Sequence, residues 1–296
     1  MSTRRRLVAA VLVVSAALVA TLILVNRHRP HVGVAAAPQP GPSQPGPSQP
    51  LATASPTPSP TPTPSPTPTA LGPVIVIPGY GGSLTGVDTL ATALRAHGRD
   101  VTVMPLPDGG VGDLNRQAEV LDTTVTQARQ RTGAGTVDLV GYSAGGIVAR
   151  LWASNDGGAG QARTIVTLGS PHHGTLIAGL AGLFSQSQCP PACQQMEPSS
   201  SLLSQLNDAT KHNGNEVPAG PNFVSIYTTS DDTVLPPQSA VLIGALNLTV
   251  QSVCPKDKVN HTHLPLDPVV QAMVSFALRP GPPQPPTGID CATLGS

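Results

Sequence analysis

The 296-residue chain has a formal net charge of zero, with 16 Lys and Arg against 16 Asp and Glu, but the charges are segregated. Arg4, Arg5, Arg6, Arg27 and Arg29 are the only charged residues before position 70, and every acid lies at or beyond Asp88, so the remainder is acidic by five. An acidic foldable part without a basic run excludes a nucleic-acid binder, and seven aromatics in the whole chain are too few for a platform that stacks sugars or bases.

Leu7 to Val25 is an apolar run broken only by Ser15 and Thr21. At about 1.5 Å per residue it just crosses a ~30 Å hydrocarbon core. Arg4–Arg6 in front of it favour a cytoplasmic N-terminus, and residues 1–29 are read as a signal anchor. A cleavable signal peptide is the alternative, and either way the rest of the chain is exported. Residues 30–70 hold no Lys, Arg, Asp or Glu, and Pro56 to Pro68 has proline at every second position. Such a stretch lacks the N–H groups for a helix or ladder. It reads as a disordered or polyproline-II-like spacer, about 3.1 Å per residue, whose Ser and Thr suit O-glycosylation.

Residues 71–280 carry the periodicities of a folded domain of roughly 210 residues, enough for one core. Val74 to Ile77 is a short apolar run, read as a strand buried on both faces. A helix is expected over Thr89 to His97, stopping at Gly98, and a strand over Asp100 to Met104. Asp113 is placed to cap a helix that runs to about Arg131 and ends at Gly133. Strand Val137 to Val140 and helix Ile147 to Ser154 follow. Strands are then expected over Thr164 to Leu168, Phe223 to Tyr227 and Leu246 to Val253. Asp267-Pro268 caps and starts a last helix, and residues 281–296 form a Pro-rich tail. Alternating strands and helices imply an α/β fold, a mostly parallel sheet with helices on both faces.

Between the third strand and its helix stands Gly141-Tyr142-Ser143-Ala144-Gly145-Gly146. Gly-x-Ser-x-Gly is weak as a bare pattern, but a buried strand before it and a helix after it are what a nucleophile elbow requires. Glycines let neighbouring backbone pass close, and the helix N-terminus favours developing negative charge. A serine needs a base to become nucleophilic. In the chymotrypsin order base and acid precede the serine, leaving only His97 in the folded domain. In the α/β-hydrolase order an acid and then a histidine follow it. Asp231 or Asp232 stands after the Phe223–Tyr227 strand, and His261 or His263 after the last strand.

Five separated pieces, all within about Gly72 to Ala277, carry a family resemblance. They are Val74 to Gly82, Gly141 to Gly146, Thr167 to Thr175, Tyr227 to Val234 and Val259 to Pro265. In that order they resemble the small secreted bacterial lipases and esterases of the α/β-hydrolase fold, most closely an actinobacterial class 2 lipase-like group, with a minimal lid. The resemblance implies Ser143 as nucleophile, Asp231 as acid with Asp232 its rival, and His261 as base with His263 its rival. It implies an oxyanion hole from the backbone N–H groups of Ala144 and Tyr80. Pro78 replaces the usual histidine of that loop, which removes a bracing side chain but no backbone donor. Gly169 to Gly174 holds His172-His173, read as a structural loop as in the family, because no other ligand stands at metal spacing.

Cys189, Cys193, Cys254 and Cys291 all lie in the exported part, where disulfides form. Of three connectivities, the expected one pairs Cys189 with Cys193 and Cys254 with Cys291. The apolar Leu176 to Phe184 is either a core helix or an acyl-binding surface. The function expected is an exported serine hydrolase of acyl esters. A thioesterase, acyltransferase or peptidase on the same fold, and a non-catalytic surface protein, are the alternatives. The expected partners are a lipid or small acyl ester and, through residues 7–25, a membrane. A monomer is expected, with no nucleic acid, metal or cofactor.

Overall fold

A computed structural model describes residues 71–155, 157–176 and 189–294. The expected anchor, the proline spacer and all of the Leu176–Phe184 stretch beyond its first residue lie outside the described residues. No helix among the described residues is long and apolar enough to cross a membrane.

The chain starts with β1 (Val74–Ile77), whose four side chains are all buried. Alternation along the strand sends Val74 and Val76 into one core and Ile75 and Ile77 into another. Helix α1 (Thr85–Ala96) follows, one turn earlier than expected, and buries Val87, Leu90, Ala91 and Leu94 at helical spacing. After β2 (Val101–Val103) comes α2 (Leu114–Thr132). Its ends are as the sequence predicts: the Asp113 side chain accepts from Asn115 N, and Gly133 closes the helix at φ 70°. Next are β3 (Val137–Tyr142), α3 (Ala144–Ser154) and β4 (Ala162–Leu168). Short helices α4 (Pro191–Gln195) and α5 (Ser201–Leu206) precede β5 (Asn222–Tyr227) and β6 (Leu246–Thr249).

The expected strand through Val253 is too long. The last four residues form a helical turn, α6 (Val250–Val253), because Thr249 caps them by accepting from Ser252 N at 2.9 Å. Helix α7 (Pro268–Ala277) closes the domain, capped by Asp267, which accepts from Val270 N at 3.0 Å.

The six strands run in the order β2-β1-β3-β4-β5-β6, every pair parallel. Helices α2 and α3 cover one face, α1 and α7 the other. The chain leaves β1 toward β2 and returns to β3 on β1's other side, so the loops after β1 and β3 diverge. In parallel sheets such a switch point opens a crevice at the carboxyl ends of the strands. At the opposite end of β3, the buried Asp138 carboxylate is held by the guanidinium groups of Arg99 and Arg163. Arg163 also donates to the carbonyls of Leu278 and Arg279 beyond α7.

Cys189 is bonded to Cys193 and Cys254 to Cys291, as expected. Such bonds persist in oxidising compartments, the pattern of an exported protein. The second bond draws the tail back onto the domain, where Ile289, Cys291 and Leu294 pack against the core.

Candidate active site

The turn between β3 and α3 is shaped by what its glycines avoid. A methyl group on Gly141 would sit 2.5 Å from the Gly145 carbonyl oxygen. One on Gly145 would sit 2.4 Å from that of Ile77, and one on Gly146 would meet the Ser170 hydroxyl at 2.0 Å. All three positions therefore need glycine, and α3 can start directly beneath the strand end. Ser143, between them, is held at φ 52° and ψ −123°, outside the ordinary regions for an L-residue. The surroundings over-determine this strain: Ser143 N donates to Leu168 O at 2.8 Å, and Ser143 O accepts from Gly146 N at 3.0 Å. The side chain is thereby lifted off the sheet.

His261 lies in a single helical turn after α6, and Asp231 in the loop after β5. Ser143 Oγ is 3.0 Å from His261 Nε2, and His261 Nδ1 is 2.9 Å from Asp231 Oδ2. The other Asp231 oxygen accepts from Thr233 N at 2.9 Å and Val234 N at 2.7 Å, which holds the carboxylate in place. Asp231 and His261 are both buried.

The rivals are elsewhere. Asp232 is exposed and accepts from Asn260 Nδ2 at 3.0 Å. His263 is exposed, with Nδ1 2.6 Å from Asn260 Oδ1. The two rivals thus meet at Asn260 and not at Ser143. With Thr228 Oγ1 donating to Val259 O at 2.7 Å, three successive residues, Val259, Asn260 and His261, are each tied to the Thr228–Asp232 loop.

Of the two backbone groups expected to face an oxyanion, one follows the serine directly and the other lies in the loop after β1. Ala144 is the first residue of α3, and its neighbours Gly145 and Gly146 start the helix. Tyr80 lies in the loop after β1, which runs so close that a methyl on Gly79 would be 3.0 Å from Ser143 Cβ. This loop keeps its turn without the missing histidine through Gly82 N donating to Gly79 O at 3.1 Å.

Several contacts around the site were not legible as such. Gly169, at φ 53°, lies against the Asp231–His261 pair: a methyl there would be 3.2 Å from His261 Nδ1 and 3.3 Å from Asp231 Oδ2. Tyr142 donates from its hydroxyl to His261 O at 3.2 Å. Its phenol is pushed well above the ordinary value, first by burial and then by the charges of Asp231 and Asp232.

His172 and His173 point apart. His172 is wholly buried between Thr167 Oγ1 at 3.0 Å and Arg150 Nη1 at 3.5 Å. Burial, and then the Arg150 charge, hold it far below the ordinary histidine value, so it is neutral. His173 Nε2 is 2.7 Å from Glu216 Oε1. Arg150 is fully buried in α3 and donates to Glu216 O, Leu206 O and Asn207 Oδ1; burial lowers it to about 10. The signal for this network was an arginine in a helix apolar on all sides. Among the described residues no cluster of His, Cys, Asp or Glu is arranged to hold a metal.

A family model described as a PGAP1-like alpha/beta domain matches residues 108–267. No curated protein matches the sequence. Among solved structures, lipase B of Aspergillus fumigatus is similar with a TM-score of 0.64 at 19% identity, over 76% of this chain and 56% of that one. A structure from the metagenome-derived lipolytic enzymes LipS and LipT has a TM-score of 0.51 at 15% identity, over 70% of this chain and 94% of that one. A gene product of Listeria innocua has a TM-score of 0.51 at 16% identity, over 71% and 95%. The chain spans little more than half the length of the Aspergillus lipase. At such identities the likeness shows the fold, which is the α/β-hydrolase fold.

Proposed function

The chain belongs to the family of the PGAP1-like alpha/beta domain, and from that footing we propose that it is an exported serine hydrolase of carboxylic esters. On this reading it acts in the manner of the small secreted bacterial lipases of the class 2 lipase-like group, which its motifs resemble. One observation carries the reading: Ser143 Oγ, His261 and Asp231 form a continuous chain of 3.0 Å and 2.9 Å contacts at the strand ends.

In the proposed reaction Ser143 Oγ attacks the ester carbonyl carbon while its proton moves to His261 Nε2. Asp231 orients the imidazole and favours its cationic form. The carbonyl oxygen, now negative, is met by the N–H groups of Ala144 and Tyr80. As the tetrahedral species collapses, the ester C–O bond breaks and His261 returns the proton to the departing alcohol oxygen. Water then attacks the acyl-serine, with His261 taking its proton and afterwards giving it to Ser143 Oγ. A carboxylic acid is released and the serine is restored.

The acyl part suits an apolar rim. Leu84, Leu176, Leu235 and Leu266 are exposed, each in a segment that follows a strand's carboxyl end. Residues 1–29 anchor the chain to a membrane in this reading, and residues 30–70 hold the catalytic domain, which acts as a monomer, away from it. The test is labelling with a fluorophosphonate, together with hydrolysis of p-nitrophenyl esters of rising chain length. Labelling of the wild type and its loss in Ser143→Ala are expected. Absence of labelling and of ester cleavage in the wild type would end the proposal.

A further inference from the structure

The reaction above gives no part to the residue immediately before the nucleophile. Tyr142 closes β3, and its ring lies against that of His261, with centroids 5.3 Å apart and planes inclined by 33°. That separation is inside the roughly 6 Å over which an aromatic ring attracts a cation. Its hydroxyl also donates to His261's own carbonyl, so one side chain touches both the ring and the backbone of the same residue.

The other groups facing His261 are accounted for. Asp231 takes Nδ1, Ser143 meets Nε2, and Leu264 and Gly169 pack beside it. Asp232 and His263, the titratable groups beside Asp231 and His261 in the chain, are exposed and turned to Asn260.

We propose that Tyr142 is a positioning residue acting through His261: its hydroxyl fixes the turn that carries the base, and its ring favours the imidazolium. The proposal rests on the reading of Ser143 and His261 as nucleophile and base. When Ser143 Oγ bonds to the carbonyl carbon, its proton passes to His261 Nε2. A positive charge appears on the imidazole and a negative one on the substrate oxygen. Tyr142 neither gains nor loses a proton. An electron-rich ring beside the imidazole lowers the energy of that charged state more than of the neutral one, so its effect grows toward the transition state. Burial keeps the phenol protonated, and therefore a donor, across the working range.

The experiment uses the full chain with Tyr142→Phe and with ring-fluorinated phenylalanines at the same position. These keep the shape of the ring while draining charge from its face. The rate of fluorophosphonate labelling is followed against pH. Across the fluorination series the plateau rate should fall stepwise by about 2- to 5-fold, and the acid limb should move to lower pH by about half a unit. The titration midpoint of His261, read by NMR in the Ser143→Ala background, should move the same way. A plain packing role predicts no trend with fluorination, and a flat series in both readouts overturns the proposal. Failure of the wild type to be labelled would instead strike at the nucleophile, and the NMR series separates the two failures.

Discussion

Gly169→Ala is the substitution whose cost is most directly worked from the geometry. The residue sits at φ 53° between β4 and the loop that follows it. Placing an L-residue there costs about 1–2 kcal/mol in backbone strain alone. The added methyl would lie 2.6 Å from Leu264 Cδ1, about 1 Å inside van der Waals contact. Forcing such a group into a packed site adds about 1–3 kcal/mol. The expected loss of stability is therefore about 2–5 kcal/mol, read by urea unfolding. The same methyl crowds His261 Nδ1 at 3.2 Å and Asp231 Oδ2 at 3.3 Å. Ordinary contact needs about 3.5–4.0 Å, so the pair must shift by several tenths of an ångström. Misplacement by about 1 Å costs around 10²-fold in rate, and the fluorophosphonate labelling rate should fall about 10- to 100-fold. Leu264→Val removes the closest atom, so the stability cost of Gly169→Ala should shrink in that background by about 1 kcal/mol or more. Stability within 0.5 kcal/mol of wild type (about the scatter of a neutral surface change), or labelling at the wild-type rate, would refute the reasoning.

Other outcomes follow from the same contacts. Asp231→Asn should lower turnover by roughly 10³- to 10⁴-fold, while Asp232→Asn changes it by only a few-fold; equal losses in ester hydrolysis would mean that the acid is misassigned. In the same assay His261→Ala should abolish activity and His263→Ala should leave most of it. His172 is neutral in the fold because its proton affinity is depressed there, whereas in the unfolded chain it titrates near 6.5. The unfolded chain thus binds more protons below that pH, and the folded state should lose up to about 1.4 kcal/mol per pH unit from this residue as pH falls. His172→Gln should flatten the slope of unfolding free energy between pH 6.5 and 5, and an unchanged slope counts against a neutral His172. Removing the Cys254–Cys291 bond, which spans a sequence separation of 37, should cost about 2–4 kcal/mol in the Cys254→Ser/Cys291→Ser variant. Unfolding midpoints that ignore this change would show the tail to be idle.

How much of this could be read from the chain depends on whether the information is local. The β1 strand, the cap and stop of α2 at Asp113 and Gly133, and the nucleophile turn were legible because each rests on neighbouring residues. That residues after the fifth and last strands would come together at Ser143 was legible too, since topology dictates it. Choosing between Asp231 and Asp232 was not a local matter. The two differ by one residue, and only the turn that Asp231 makes with Thr233 N and Val234 N sends one inward and the other to Asn260. The last strand was over-extended because Leu246, Leu248 and Val250 alternate with Asn247, Thr249 and Gln251 at strand spacing, and Thr249 capping overrode that pattern. Gly169 and Tyr142 went unrecognised for a further reason. Their importance lies in contacts made across 62 or more residues of chain, which no spacing rule encodes.

The Asp138 cluster has a consequence for how this protein can change. Asp138 and Ser143 sit five positions apart on one strand and its turn, yet the arginine–carboxylate pairs among the described residues, including Arg131 with Asp100 ahead of β2, gather at the amino ends of the strands. Ser143, His261 and Asp231 gather at the carboxyl end. Durability and reactivity are thus lodged at opposite poles of the sheet. Loops at the reactive pole can be diversified to accept new acyl or alcohol groups while the ionic pole holds the framework. A library that spares Arg99, Asp138 and Arg163 should therefore tolerate far more variation around Ser143 than one that disturbs both poles at once.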